Sequence, residues 1–138
     1  MTLLVSDLSG AIDFFALLGF EQQAATVISG ERFASFLGVD GLEADHVVLA
    51  VPGISPRFEV QLMHYRSPAA RPAAEGHGLR QLGFNHICFA VADMDATLAR
   101  LEASGVEVRG KLDGFYDRRL CFVTGPDGIT IELSQSTA

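Results

Sequence analysis

The side chains able to do chemistry are few, so each can be weighed. Glu132 stands mid-run between Ile131 and Leu133. A carboxylate buried there without a partner is costly, so Glu132 must meet water, a cation or a metal ion. His86 precedes the apolar run Ile87–Val91. A histidine on its own is most often structural or solvated, and position must decide its role. Of the other histidines, His46 heads an apolar segment, where it would stand at a cavity mouth. His64 alternates out of phase with Gln61, and His77 lies in a Gly-rich stretch and reads as solvated. The 2 cysteines, Cys88 and Cys121, read as buried thiols, with Cys88 on the strand face of His86 as pocket wall. Tyr116, Arg118 and Arg119 follow Leu112-Asp-Gly-Phe115, read as a loop, and an arginine there would fix a carboxylate or phosphate through paired hydrogen bonds. Gly125-Pro-Asp-Gly128 is a turn and not a phosphate cradle, since no Gly-Lys-Ser/Thr follows. No Ser–His–Asp triad follows from spacing.

The elements that position these groups come from an internal repeat. Val5–Phe20 aligns without a gap on Val91–Val106, at an offset of 86. Val5 meets Val91, Asp7 meets Asp93, Phe15 meets Leu101 and Gly19 meets Gly105. Each segment reads as a strand end, a helix and a stop. Asp7 or Ser9, and Asp93 or Asp95, supply acceptors for the free amides of a helix start. Leu8, Ile12 and Phe15, like Met94, Leu98 and Leu101, recur at the spacing of one helical face. Gly19 and Gly105 suit the left-handed residue that ends a helix.

Strands are predicted at 21–28, 46–51 and 58–65, then at 106–108, 119–124 and 129–134. Residues 31–45 form an extra stretch in the first half, a short helix or a loop. The predicted fold is α+β, each half strand–helix–strand–strand–strand, with 1–66 as the first module, its first strand shortened. Residues 67–83 are a Pro- and Gly-rich linker, and 84–138 the second module, the two together making one domain. Side-chain alternation puts Glu59, Gln61 and Met63 on one strand face, and Thr130, Glu132 and Ser134 on another. Val60-Gln-Leu62 matches Ile131-Glu-Leu133, which makes Gln61 the counterpart of Glu132.

Composition narrows the partners. The 138 residues are 49% hydrophobic and 20% charged, ordinary globular usage. No apolar run reaches the length of a membrane span, and Met-Thr-Leu-Leu-Val-Ser-Asp lacks a signal peptide's basic start, so a cytoplasmic location is expected. The net charge of −7 disfavours nucleic acid and anionic membrane. The first 66 residues carry 3 basic and 8 acidic groups, the rest 7 and 9, so an anionic small molecule finds more partners in the second half.

With these motifs in place, the chain resembles the vicinal oxygen chelate superfamily, the glyoxalase, bleomycin-resistance and extradiol-dioxygenase group. The resemblance rests on His86-Ile-Cys-Phe-Ala-Val-Ala-Asp-Met94, Leu101-Glu-Ala-Ser-Gly-Val106 and Phe122-Val-Thr-Gly-Pro-Asp-Gly-Ile-Thr-Ile-Glu-Leu133. It rests as well on Val5-Ser-Asp-Leu8 with Phe14–Phe20. It implies paired βαβββ modules forming an open, curved mixed-sheet barrel around a central cavity. It also implies one divalent ion there, held by residues from the first and last strand of each module. On this sequence those positions are His86, Glu132 and Gln61, nitrogen and oxygen donors that suit Zn²⁺, Mn²⁺, Fe²⁺, Co²⁺ or Ni²⁺. The fourth position, the counterpart of His86, falls just upstream of Met1.

The activity implied is a small-molecule lyase or isomerase of the glyoxalase or epimerase type. The ion would stabilise an enediolate while Glu132, or otherwise Glu59, moves an α-proton on a carbonyl or thioester substrate. Cys88, Tyr116, Arg119, His46, Met63 and Thr130 would line the substrate. Homodimerisation is implied too. An Fe²⁺ ring-cleaving dioxygenase is the alternative and needs a second histidine at the fourth position. A metal-free, bleomycin-resistance-like binding protein is the other, with Phe33, Phe36, Phe84, Phe89 and Phe115 as its groove.

Overall fold

A computed structural model describes residues 1–73 and 76–138. Ala74 and Glu75, within the predicted linker, lie outside the described residues. The chain divides into two compact units, Met1–Pro72 and Ala73–Ala138.

The first unit runs β1 (Thr2–Leu4), α1 (Leu8–Leu17), β2 (Glu21–Ser29), α2 (Glu31–Leu37), β3 (Glu43–Ala50) and β4 (Glu59–Ser67). The second runs β5 (Ile87–Ala90), α3 (Met94–Ala103), β6 (Val108–Phe115), β7 (Arg118–Thr124) and β8 (Thr130–Ser136), with a short 3-10 turn at Pro126–Gly128. Each unit folds one four-stranded mixed sheet, in the orders β1-β4-β3-β2 and β5-β8-β7-β6. The first strand of each pairs parallel with the last, and the remaining pairs are antiparallel. The α+β class and the two βαβββ units therefore stand as expected, and the stretch after β2 holds the helix α2.

The helices start and stop as their sequences dictate. Asp7 accepts from the Gly10 amide at 3.0 Å and Asp93 from the Ala96 amide at 2.9 Å, which chooses the aspartates over Ser9 and Asp95. At the far ends, Gly19 (φ 88°) and Gly105 (φ 81°) take the left-handed conformation. The amides that follow, of Phe20 and Val106, return to the carbonyls of Phe15 and Leu101 at 3.1 and 3.0 Å. Phe15 and Leu101, equivalent in the repeat, are both fully buried.

The long helices cover one face of each sheet. α1 lies against β4 and α3 against β8. Val60 and Leu62 of β4, and Ile131 and Leu133 of β8, are fully buried. The alternating residues Gln61 and Glu132 take the opposite face, which carries the candidate chemistry.

Two corrections concern the elements. Leu112-Asp-Gly-Phe115, expected as a loop, is the end of β6, and the turn is the pair Tyr116 (φ 47°) and Asp117 (φ 53°). Positive φ at both central residues suits the right-handed twist of a two-residue hairpin. Met63, expected to line a substrate, is buried with Ala34, Leu42 and Ala44, because α2 covers that end of the sheet. Among the described residues, no helix is long and apolar enough to cross a membrane.

Candidate functional site

In the second unit, strand register builds one chemical face. Cys88 pairs with Glu132 across the parallel β5–β8 ladder, and Phe122 pairs with Glu132 across β7–β8. Paired residues project to the same side of a sheet, so Cys88, Glu132 and Phe122 converge. His86 stands one residue before β5. Its Nε2 lies 3.5 Å from Glu132 Oε2, although 46 residues separate the two in sequence. The Phe122 ring meets the imidazole edge-on, with centroids 5.2 Å apart at 75°. A cavity of about 180 Å³ opens on this face, its lining including Gly110, Leu112, Leu120, Phe122 and Glu132.

The imidazole is also held from behind. Asn85 Oδ1 lies 2.7 Å from His86 Nδ1, and Asn85 Nδ2 donates to the Leu79 carbonyl at 2.8 Å. Along β8, Thr130 accepts from Arg109 at 2.6 Å and Ser134 from Arg118 at 3.1 Å. Glu132 is thus flanked by two hydroxyls that are capped by guanidinium groups. Cys121 is buried as expected, but Cys88 is exposed, because β5 is the edge strand of its sheet. Its thiol is pushed up to about 11, first by partial desolvation and then by the Glu132 carboxylate, and stays protonated at neutral pH.

The first unit repeats the geometry with other residues. Gln61 takes the register position of Glu132, paired with Thr2 where Glu132 is paired with Cys88. Its amide is committed on both sides. Nε2 donates to Glu59 at 3.4 Å, and Oε1 lies 3.2 Å from His46 Nε2. A carboxylate can only accept, so Gln61 turns its nitrogen to Glu59 and its oxygen to His46. Arg57 binds Glu59 at 2.8 Å and, with Gln61, holds its carboxyl below the usual carboxylate range. The terminal amine of Met1 donates to the Glu59 backbone carbonyl at 2.9 Å.

The expected site residues therefore fall into groups. His86, Cys88, Thr130 and Glu132 share one face of the second unit; Glu59, Gln61 and His46 share one face of the first. Arg119 is not on the Glu132 face. It pairs with Gln135 in register and binds Asp95 of α3 at 2.8 Å and Asp113 at 3.3 Å. Tyr116 is 82% exposed at the hairpin tip, against the Phe115 ring. Of the phenylalanines expected to line a groove, Phe89 pairs with Leu133, on the strand face opposite Glu132. The sequence reading missed Phe122, Asn85 and Arg109, and left Arg118 aside.

A divalent ion can be tested against this geometry. Two donors about 2.1 Å from a tetrahedral ion lie about 3.4 Å apart. The His86–Glu132 separation of 3.5 Å meets that spread. Both donors are suited to a borderline divalent metal, so the pair fits. Among the described residues, no group of three His, Cys, Asp or Glu side chains gathers around one point.

The comparisons with known proteins agree with the fold. Residues 1–133 match the profile of the Glyoxalase/Bleomycin resistance protein/Dioxygenase superfamily. The chain belongs to this superfamily. A glyoxalase family protein from Bacillus cereus superposes with a TM-score of 0.91 at 23% identity, over 100% of this chain and 92% of that one. That likeness shows the superfamily fold. Glyoxalase I of Saccharomyces cerevisiae is 43% identical over 51 residues, 37% of this chain and 16% of that protein. YaeR of Escherichia coli is 32% identical over 82 residues, 58% of this chain and 60% of that protein. The chain thus matches a sixth of one curated superfamily relative and under two thirds of the other.

Proposed function

We propose that this chain supplies the metal-binding face of a glyoxalase-type lyase or isomerase, acting at a carbon beside a carbonyl or thioester. The observation that carries the reading is the His86–Glu132 pair, 3.5 Å apart, with Glu132 in the lining of the cavity. His86 Nε2 and Glu132 Oε2 would hold one divalent ion. Gln61, expected as a further donor, has its amide engaged by Glu59 and His46 of its own unit. When bound, such an ion acts as a Lewis acid toward a substrate oxygen.

The chain's own residues divide the remaining work. Glu132 takes the α-proton on its carboxylate. Glu59 is a weaker base, because Arg57 holds its carboxyl low, and it serves instead to orient the Gln61 amide. Leu120 and Phe122 make an apolar wall that excludes water and raises the worth of each charge inside. Protonated Cys88 is a neutral neighbour of Glu132 and not a nucleophile.

The test is proton exchange at carbon. The protein is loaded with Zn²⁺, Mn²⁺, Co²⁺ or Ni²⁺ and given the hemithioacetal of methylglyoxal and glutathione, then a racemising acyl thioester, in deuterated water. Deuterium should enter the α-position with at least one of these substrates. Glu132→Gln should slow its entry by 100-fold or more, within the span of general-base catalysis. Exchange that is equally fast in Glu132→Gln would overturn the assignment of the base.

A further inference from the structure

The contacts behind His86 specify which of its ring nitrogens carries hydrogen. The Leu79 carbonyl can only accept, so the group of Asn85 that faces it at 2.8 Å is the NH₂. The oxygen of the same amide must then face His86, at 2.7 Å from Nδ1. That oxygen is also only an acceptor, so Nδ1 bears the hydrogen. In the neutral ring Nε2 is left with its lone pair directed at the Glu132 side, 3.5 Å from Oε2. Free histidine in water prefers the other arrangement, with hydrogen on Nε2. A lone pair pointed at a carboxylate is unfavourable unless a cation stands between them.

We propose that Asn85 is a positioning residue that locks His86 in the Nδ1–H tautomer and so presents Nε2 as a ready-made ligand. The backbone carbonyl of Leu79 acts as the anchor that keeps the Asn85 amide from flipping. The edge-on Phe122 ring fixes the plane of the imidazole. The consequence for affinity rests on the proposed metal reading; the tautomer itself does not. Metal-ligating histidines gain orientation and basicity from such an acceptor, and its loss typically costs 10–100-fold in affinity.

The full chain, metal-free and ¹⁵N-labelled, is examined by NMR above the ordinary range of imidazole titration, with the His86 signals identified by their loss in His86→Gln. The wild type should show Nδ1 protonated and Nε2 bare. Asn85→Leu should shift His86 toward the Nε2–H form. It should also weaken Zn²⁺ binding by about 10–100-fold in calorimetric titration. Asn85→Asp keeps an acceptor for Nδ1 while losing the donor to the Leu79 carbonyl, and should retain the tautomer. A wild-type His86 protonated on Nε2 overturns the proposal, and so does an Asn85→Leu protein unchanged in both tautomer and affinity. The wild-type spectrum needs no variant, so a poorly folded Asn85→Leu protein leaves that measurement standing. A wild type that has the Nδ1–H form but takes up no zinc supports the positioning role and refutes the metal reading.

Discussion

The two units share a topology and differ in what they place on it. Gln61 and Glu132 hold the same register position on the last strand of their sheets. Around Glu132 stand Cys88, Phe122 and the imidazole of His86; around Gln61 stand Thr2, Val48, His46 and Glu59. In the first unit the Gln61 amide is answered by His46 on one side and Glu59 on the other. In the second, an imidazole nitrogen faces a carboxylate across a gap that fits an ion. Duplication has kept the framework of caps, stops and buried faces while the site positions diverged, because the framework is set by packing and the site by chemistry.

The shared framework should respond alike in both units. Phe15→Ala and Leu101→Ala each empty a fully buried repeat position, so each should cost on the order of 2–5 kcal/mol in denaturant unfolding. A loss below about 1 kcal/mol at either position would break the equivalence of the two cores. The diverged positions should respond differently. Glu132→Gln removes charge from a proposed ligand and should weaken Mn²⁺ binding by about 10–100-fold. Gln61→Leu takes the shared partner from His46 and Glu59 and should instead cost about 1 kcal/mol in denaturant unfolding. Mn²⁺ affinity unchanged in Glu132→Gln, read by calorimetry, would dissolve the distinction drawn between the faces.

Smaller effects sharpen the same comparison. Asp7→Ala and Asp93→Ala remove equivalent helix caps and should each cost about 1 kcal/mol. Their thermal unfolding midpoints should fall by matched amounts.

The acid limb should be matched as well. Arg66 holds the Asp45 carboxyl below its ordinary value in the first unit, and Arg119 does so for Asp95 in the second. A depressed carboxyl contributes stability above the ordinary carboxylate range and loses it as pH falls through the folded value. Arg66→Leu and Arg119→Leu should each flatten the fall in stability below about pH 4, modestly, since all four groups sit at the surface.

Much of this was legible in the chain because it is local. Asp7 and Asp93, Gly19 and Gly105 act within a few residues of themselves, so spacing revealed them. The match of Val60-Gln-Leu62 to Ile131-Glu-Leu133 was legible because alternation has a fixed period of two. What stayed hidden depends on pairing at a distance. β6 was read as a short strand and a loop because nearly every residue in it is exposed and Gly110 and Gly114 interrupt it, leaving no alternation to see. Phe122 reaches His86 only through the β7–β8 register, and Asn85 earns its role from a carbonyl six residues back. The Arg119–Asp95 pair stayed hidden because Asp95 lies on a helix that sequence alone could not dock.

The most direct measurement is elemental analysis of the protein dialysed against a mixture of Zn²⁺, Mn²⁺, Co²⁺ and Ni²⁺, alongside His86→Ala and Glu132→Gln. The account predicts one divalent ion per chain in the wild type and a large loss in both variants, with the fold retained by circular dichroism. Full occupancy in both folded variants, or none in the wild type, would contradict it.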